Sequence, residues 1–237
     1  MRKNTLITGA SSGLGAGMAR HLAASGHNLA LTARRVDRLE ALQAELLAAN
    51  PSITVTVHAL DVDDNDSVFG VFAAAAEAHG GLDRVIVNAG LGKGGRIGTG
   101  KFAANRETAM TNFVGALAQC EAAMEHFYER KSGHLVVISS VSAMRGMPSS
   151  MTTYAASKAA VAHLAEGIRS DLLTRKGLDI KVTTLYPGYI ASEMNEKVEQ
   201  VQRLMVDTET GTAAMVPYNE KEVVDAAGAA WPGAPIS

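Results

Sequence analysis

This sequence predicts an α/β fold: one domain built on a doubly wound parallel sheet of six to seven strands, with helices on both faces. Two observations carry the prediction. Short apolar runs alternate with stretches of helical periodicity along most of the chain, an order that gives a parallel sheet with right-handed crossovers. The residues with chemical potential fall at the carboxyl ends of those runs, where open α/β sheets bind ligands. A chain of 237 residues suits one such domain and can bury a large core.

The elements follow in order. Asn4–Thr8 is the first strand, and a helix runs from about 13 to 25, with Gly26 in the C-cap place. The second strand is Asn28–Ala33; Arg34-Arg35 follow it, then a helix with Leu39, Leu42, Leu46 and Leu47 at helical spacing, closed by Pro51. The stretch 53–60 is rich in β-branched residues and is the third strand. Asp61 to Asp66 form an acidic turn that opens a helix, where negative charge suits the dipole. The fourth strand, 84–88, ends in Ala89-Gly90, and a glycine-rich loop spans 91–100. A long helix covers 105–130, with room for a break near Asn112; the fifth strand is 134–140; a second long helix follows Pro148 over 153–175; the sixth strand is 180–186, ending at Pro187-Gly188. Beyond it, Met194, Val198, Val201 and Met205 recur at helical spacing, and residues 192–237 read as a substrate lid and an atypical C-terminal segment. A weak candidate for a last strand lies in 227–235, where Pro232 must end it.

Composition excludes several classes. A formal net charge of −2 gives no reason to expect nucleic acid or an anionic membrane as partner. The single cysteine, Cys120, excludes an internal disulfide and a cysteine-based metal site, and no metal is expected; this fits a reducing cytoplasm. Met1-Arg2-Lys3-Asn4 runs straight into a strand, so no signal peptide is expected, and no apolar run is long enough to span a membrane.

Between the first strand and the first helix lies Thr8-Gly9-Ala10-Ser11-Ser12-Gly13-Leu14-Gly15. A backbone that bends sharply and lets a phosphate approach without a Cβ in the way needs glycines there. The following helix offers that anion unpaired N–H groups and the positive end of its dipole. The spacing is G-x-x-x-G-x-G rather than the commonest dinucleotide fingerprint, G-x-G-x-x-G. Two rival readings stand beside this one. The first is a tight turn without a ligand. The second is the nucleophile elbow of an α/β-hydrolase, since Gly9-Ala10-Ser11-Ser12-Gly13 matches G-x-S-x-G. A hydrolase needs an acid and then a histidine later in the chain. His126, His134 and His163 follow, but none lies in a recognisable loop after a late strand.

The glycine turn, Asp61-Val62, Asn88-Ala89-Gly90, Asn112, Ser140, Tyr154-Ala155-Ala156-Ser157-Lys158 and Pro187-Gly188 occur in order and at suitable separations. In them the chain resembles the short-chain dehydrogenase/reductase family in its classical form, over about residues 4–195. The resemblance implies a Rossmann-like fold with a seven-stranded sheet, a nicotinamide cofactor, and hydride transfer between a carbonyl and an alcohol. It implies that Ser140, the second serine of its pair, is the catalytic one, with Ser139 and Ser142 as alternatives. It also implies that Asn112 kinks its helix and holds a water on a proton path to Lys158. The Ile190 backbone and the Ser192 hydroxyl, in the loop that begins at Pro187-Gly188, would fix the nicotinamide carboxamide. Pairing of the two long helices with another subunit would give a homodimer or homotetramer. The glycine-rich ending common in the family is absent here, which leaves the seventh strand and the lid open.

Each residue also has its own chemistry. Tyr154 and Lys158 are four apart in a helical stretch and share a face. A nearby ammonium favours the phenolate, so such a tyrosine can exchange a proton with a carbonyl or alcohol oxygen. The Ser140 hydroxyl, at a strand end, can hold that oxygen by a hydrogen bond. At the end of the second strand an acidic residue would accept from an adenosine ribose hydroxyl; Arg34 and Arg35 stand there instead and suit a 2′-phosphate, which predicts NADP(H). Asp61, by side chain, and Val62, by backbone, would contact the adenine; Asp61 is equally placed to cap the next helix. Asn88, Ala89 and Gly90 would line the floor beneath the ribose. The substrate wall is expected from 91–100, 141–153 and 193–206. Met144, Met147 and Met151 lie in the second of these and suit an apolar or broad-range ketone or alcohol, unless they are plain core. The alternative to an enzyme is a module that binds NADP(H) without turnover.

Overall fold

The computed structural model describes residues 3–188 and the backbone of two further strands, Gln202–Asp207 and Thr212–Pro217. Six strands form one sheet: β1 (Asn4–Thr8), β2 (Asn28–Ala33), β3 (Val55–Ala59), β4 (Arg84–Val87), β5 (Ser132–Ile138) and β6 (Asp179–Leu185). Their order is β3-β2-β1-β4-β5-β6, and every pairing is parallel. The order reverses between β1 and β4, so a crevice opens there at the carboxyl edge.

The alternation of side chains explains why both faces are covered. Ile7, Leu29, Leu31, Ile86, Val136 and Ile138 face one core, shared with Met18 and Leu22 of α1 (Gly13–Ala24) and Leu39, Leu42 and Leu46 of α2 (Val36–Ala49). Their neighbours Leu6, Ala30, Val85, Val87, Leu135 and Val137 face the other. That second core is completed by Val68 and Phe72 of α3 (Asn65–His79), Phe127 of α5 (Gly115–Arg130), and Val161 and Ala165 of α6 (Met151–Thr174). A strand buried on both faces reads as a continuous apolar run, as these do.

Several boundaries differ from the sequence expectation. The fifth strand is shifted: it begins at Ser132 and ends at Ile138, so Ser139 and Ser140 lie beyond the ladder. The cap of α3 is Asp64, whose carboxylate accepts from Ser67 N at 3.4 Å. Asp61 instead closes a local turn by accepting from Asp63 N at 3.2 Å. The first long helix does break at Asn112. It runs as α4 (Phe102–Ala109), a π turn over Met110–Val114, and α5. The helical spacing read through Met205 is overturned. Gln202–Asp207 is a strand, β7, paired antiparallel with β8 (Thr212–Pro217). Two apolar runs separated by a short polar segment with Gly211 form a hairpin pattern, and that pattern prevails over a sparse helical one. Met194, Val198, Val201 and the candidate strand in 227–235 lie outside the described residues. No helix among the described residues is long and apolar enough to cross a membrane.

The edge of the sheet remote from the crevice carries a polar row. Thr5, Arg84, His134 and Lys181 occupy paired positions on β1, β4, β5 and β6. Arg84 is 1% exposed and donates from Nε to His134 Nδ1 at 3.3 Å. Guanidinium has no acceptor, so His134 Nδ1 must accept and the ring is neutral, with its Nε2 proton left for Thr183 Oγ1 at 2.9 Å. Burial, then the positive charge of Arg84, pushes His134 down from 6.5 to about 3; burial pushes His27 down to about 4.

A histidine whose folded pKa is depressed stabilises the fold above its unfolded value and loses that contribution as pH falls. The melting temperature is therefore expected to decline as pH drops from 6.5 toward 4, and replacing His134 by Gln should flatten the decline. Thermal unfolding followed at several pH values checks this.

Candidate active site

The carboxyl ends of β1 and β4 are fastened by side chains. Thr8 Oγ1 donates to Ile86 O at 3.3 Å and accepts from Asn88 N and Ala89 N, both at 3.0 Å. Asn88 Nδ2 donates to Thr8 O at 2.8 Å and to Gly9 O at 3.4 Å. The glycine turn is pressed onto this joint. A Cβ on Gly9, which has φ +65°, would lie 2.9 Å from Ala89 Cα. A Cβ on Gly15 would collide with Gly9 O and lie 2.8 Å from Asn88 Nδ2. Gly13 also has positive φ, +52°, where α1 begins. Glycine at these positions lets the turn lie against the joint, and the amino end of α1 borders a cleft.

That cleft has a volume of about 370 Å³. It is lined by Gly9, Ser11, Ser12, Gly13, Leu14 and Gly15 of the turn, by Arg34, Arg35, Asp61 and Val62, and by Asn88, Ala89 and Gly90. Tyr154, Lys158, Pro187 and Gly188 close its far end. Arg35 reaches back over the turn: Nη2 donates to Ser12 Oγ at 2.7 Å and to Ser11 Oγ at 3.2 Å, and Nε donates to Ser11 Oγ at 3.3 Å. Arg34 lies 3.9 Å from Asp61 in an exposed ion pair, which is worth little in water. The glycines of the turn, the amino end of α1 and the guanidiniums at the end of β2 could together hold a dinucleotide. The elbow reading fails here. The candidate nucleophile, Ser11, accepts from Arg35, and no histidine is among the described residues lining the cleft. Among the described residues no group of side chains could hold a metal ion.

At the far end Lys158 is buried. Its Nζ donates to Ile138 O at 2.8 Å and lies 6.0 Å from the centre of the Tyr154 ring. Burial lowers its pKa from 10.5 to about 8, which keeps it charged at neutral pH. A Cβ on Gly90 would lie 3.4 Å from that ammonium and 3.2 Å from Asn112 Oδ1, so the missing side chain leaves room for both. Asn112 holds Leu91 by both backbone groups: Leu91 N donates to Oδ1 at 2.8 Å, and Nδ2 donates to Leu91 O at 2.9 Å. Nδ2 also reaches Ser157 Oγ at 3.2 Å. The Asn112 amide therefore anchors the loop after β4, and the π turn places it there by rotating the helix out of its regular phase.

A second cavity, about 300 Å³, adjoins the first. Tyr154 and Gly188 line both. Ser140 lines the second, whereas Ser139 lines the first and donates its hydroxyl to Lys158 O at 2.8 Å. Met144, Met147 and Met151 form the outer wall of the second cavity, with Met144 half exposed. None of the three belongs to either core, which removes the plain-core reading. Ile190 and Ser192 lie outside the described residues. Sequence reasoning overlooked Thr8, whose signal was available: a threonine at the end of an apolar strand, fully buried, has to find partners for its hydroxyl.

Comparison with known proteins agrees with this architecture. Residues 3–203 match the family model described as short chain dehydrogenase. An uncharacterised oxidoreductase of Mycobacterium tuberculosis is 52% identical over 235 residues, 99% of this chain and 91% of that protein. An alcohol dehydrogenase of the archaeon Thermococcus sibiricus, solved with 5-hydroxy-NADP, superposes with a TM-score of 0.78 at 28% identity, over 95% of this chain and 88% of its own. A short chain dehydrogenase/reductase from Burkholderia phymatum, solved with NAD, gives 0.77 at 27% identity, over 82% and 68%.

The joint between β1 and β4 sets an expectation. Asn88→Ala removes a half-buried donor and leaves Thr8 O without its side-chain partner, so it should cost about 1 kcal/mol. Chemical denaturation should show a lower midpoint with an unchanged slope.

Proposed function

We propose that this chain, which belongs to the short-chain dehydrogenase family, is an NADP(H)-dependent oxidoreductase acting between a ketone and a secondary alcohol. The observation that carries the reading is the junction of the two cavities at Tyr154, with Lys158 beneath it and Ser140 on the outer side. A nicotinamide bound in the first cavity would supply or accept the hydride. The protein's part is the proton and the positioning. Ser140 donates a hydrogen bond to the substrate oxygen, and Tyr154 gives that oxygen a proton in reduction or takes one in oxidation. The Lys158 ammonium stabilises negative charge developing on the phenol oxygen.

Arg34 and Arg35 select the phosphorylated cofactor. Arg35, already directed at Ser11 and Ser12, can bind a 2′-phosphate by paired charge-assisted bonds. Asp61 and Val62 flank the adenine, and Ile190 and Ser192 hold the carboxamide. We read residues 1–237 as one catalytic domain, with 192–237 covering the substrate, and the active form as a homodimer or homotetramer in the cytoplasm. The methionine wall suits an apolar carbonyl compound. Arg145 lines the same cavity and pairs with no carboxylate among the described residues, so a substrate with an apolar body and one anionic end also fits.

Two measurements test the reading. Catalytic efficiency should favour NADPH over NADH; Arg35→Ala should lower NADPH efficiency by roughly 10- to 100-fold, the loss of one charge-assisted contact, and leave NADH little changed. Preference for NADH in the parent protein would refute the cofactor assignment. Tyr154→Phe should lose at least roughly 10²-fold in kcat while binding NADPH normally by fluorescence titration. Tight NADPH binding by the parent protein without turnover on a panel of neutral ketones and keto acids would instead identify a non-catalytic binding module.

A further inference from the structure

Three serines leave β5 within four residues, and their hydroxyls are committed differently. Ser139 is bound to the Lys158 carbonyl. Ser140 Oγ receives two contacts from one residue: Ser142 N donates at 3.2 Å, and Ser142 Oγ lies at 2.9 Å. Ser142 sits in a short 3₁₀ turn, Val141–Met144, and is buried. Its hydroxyl has no partner among the described residues other than Ser140 Oγ.

We propose that Ser142 is a positioning residue that aims the Ser140 proton at the substrate oxygen. A serine hydroxyl has one proton and two acceptor positions. The Ser142 N–H fills one position. When the Ser142 hydroxyl donates, it fills the second, and the Ser140 proton has only the cavity side left to it. The reverse orientation would spend the Ser140 proton on Ser142 and present a lone pair to a carbonyl oxygen, two acceptors facing each other. A substrate carbonyl therefore selects the first arrangement. In it the donated bond also polarises Ser140, making it a stronger donor. The inference rests on Ser140 being the hydroxyl that meets the substrate.

The test is a double-mutant cycle at Ser140 and Ser142, read by kcat, KM and the NADPH dissociation constant. Ser142→Ala should lower kcat by roughly 5- to 10-fold, the rate equivalent of one net hydrogen bond, with KM and NADPH binding within about twofold. Ser140→Ala should lower kcat by roughly 10²-fold or more. The double variant should be no slower than Ser140→Ala, because Ser142 acts only through Ser140. Losses that multiply, or Ser142→Ala with unchanged kcat, would overturn the assignment. If the alanine variant does not fold, Ser142→Cys, somewhat larger and with a weak donor, fills the site and carries the same expectation. A fully active Ser140→Ala would instead refute the role given to Ser140, a result distinguishable from failure at Ser142.

Discussion

The site depends on how the carboxyl ends of β1 and β4 are joined. Strand order reverses between them, so their connections leave toward opposite faces and the edge opens. Backbone groups exposed by that opening would be costly if left unpaired, on the order of 1–3 kcal/mol each. The Thr8 hydroxyl and the Asn88 amide satisfy them from the side and make the opening rigid. The glycine turn then rests directly on Asn88, with no space for a Cβ at Gly9 or Gly15. The turn, the amino end of α1 and the floor of the cleft are one packed unit.

A second constraint is the buried ammonium of Lys158. Taking a charge out of water opposes folding, and its lowered pKa is the sign of that cost. The surroundings are arranged to hold it. Ile138 offers a carbonyl at the end of β5, Gly90 leaves room, and Ser139 binds the helix backbone at Lys158 itself. The π turn brings Asn112 to the same place and ties the loop after β4 to α6 through Ser157. These features share one purpose, to keep a charged group fixed under a tyrosine that faces two cavities.

Much of this was legible because it rests on local periodicity. β1, β4 and β5 show as short continuous apolar runs, whose neighbours, such as Leu6 and Ile7, the structure divides between two cores, and helical spacing marks α2 by its leucines. The glycine turn was legible because its backbone demand admits few residues. Features set by longer-range geometry were less so. Asp61 and Asp64 are indistinguishable as caps until the path of the turn is known. The methionines at 144, 147 and 151 have the composition of a core, and only the position of their loop shows that they line a cavity. Met205 extends the helical spacing read from Met194, yet pairing of 202–207 with 212–217 decides its form.

Among the described residues the two cavities share Tyr154 and Gly188. Arg34 and Arg35 touch one and the three methionines touch the other, and among the described residues Tyr154 is the one side chain that lines both. Changes at the two ends should therefore combine additively in free energy. Under the proposed function the two ends of the site are traits that can drift or be engineered independently, with Tyr154 as the fixed point between them.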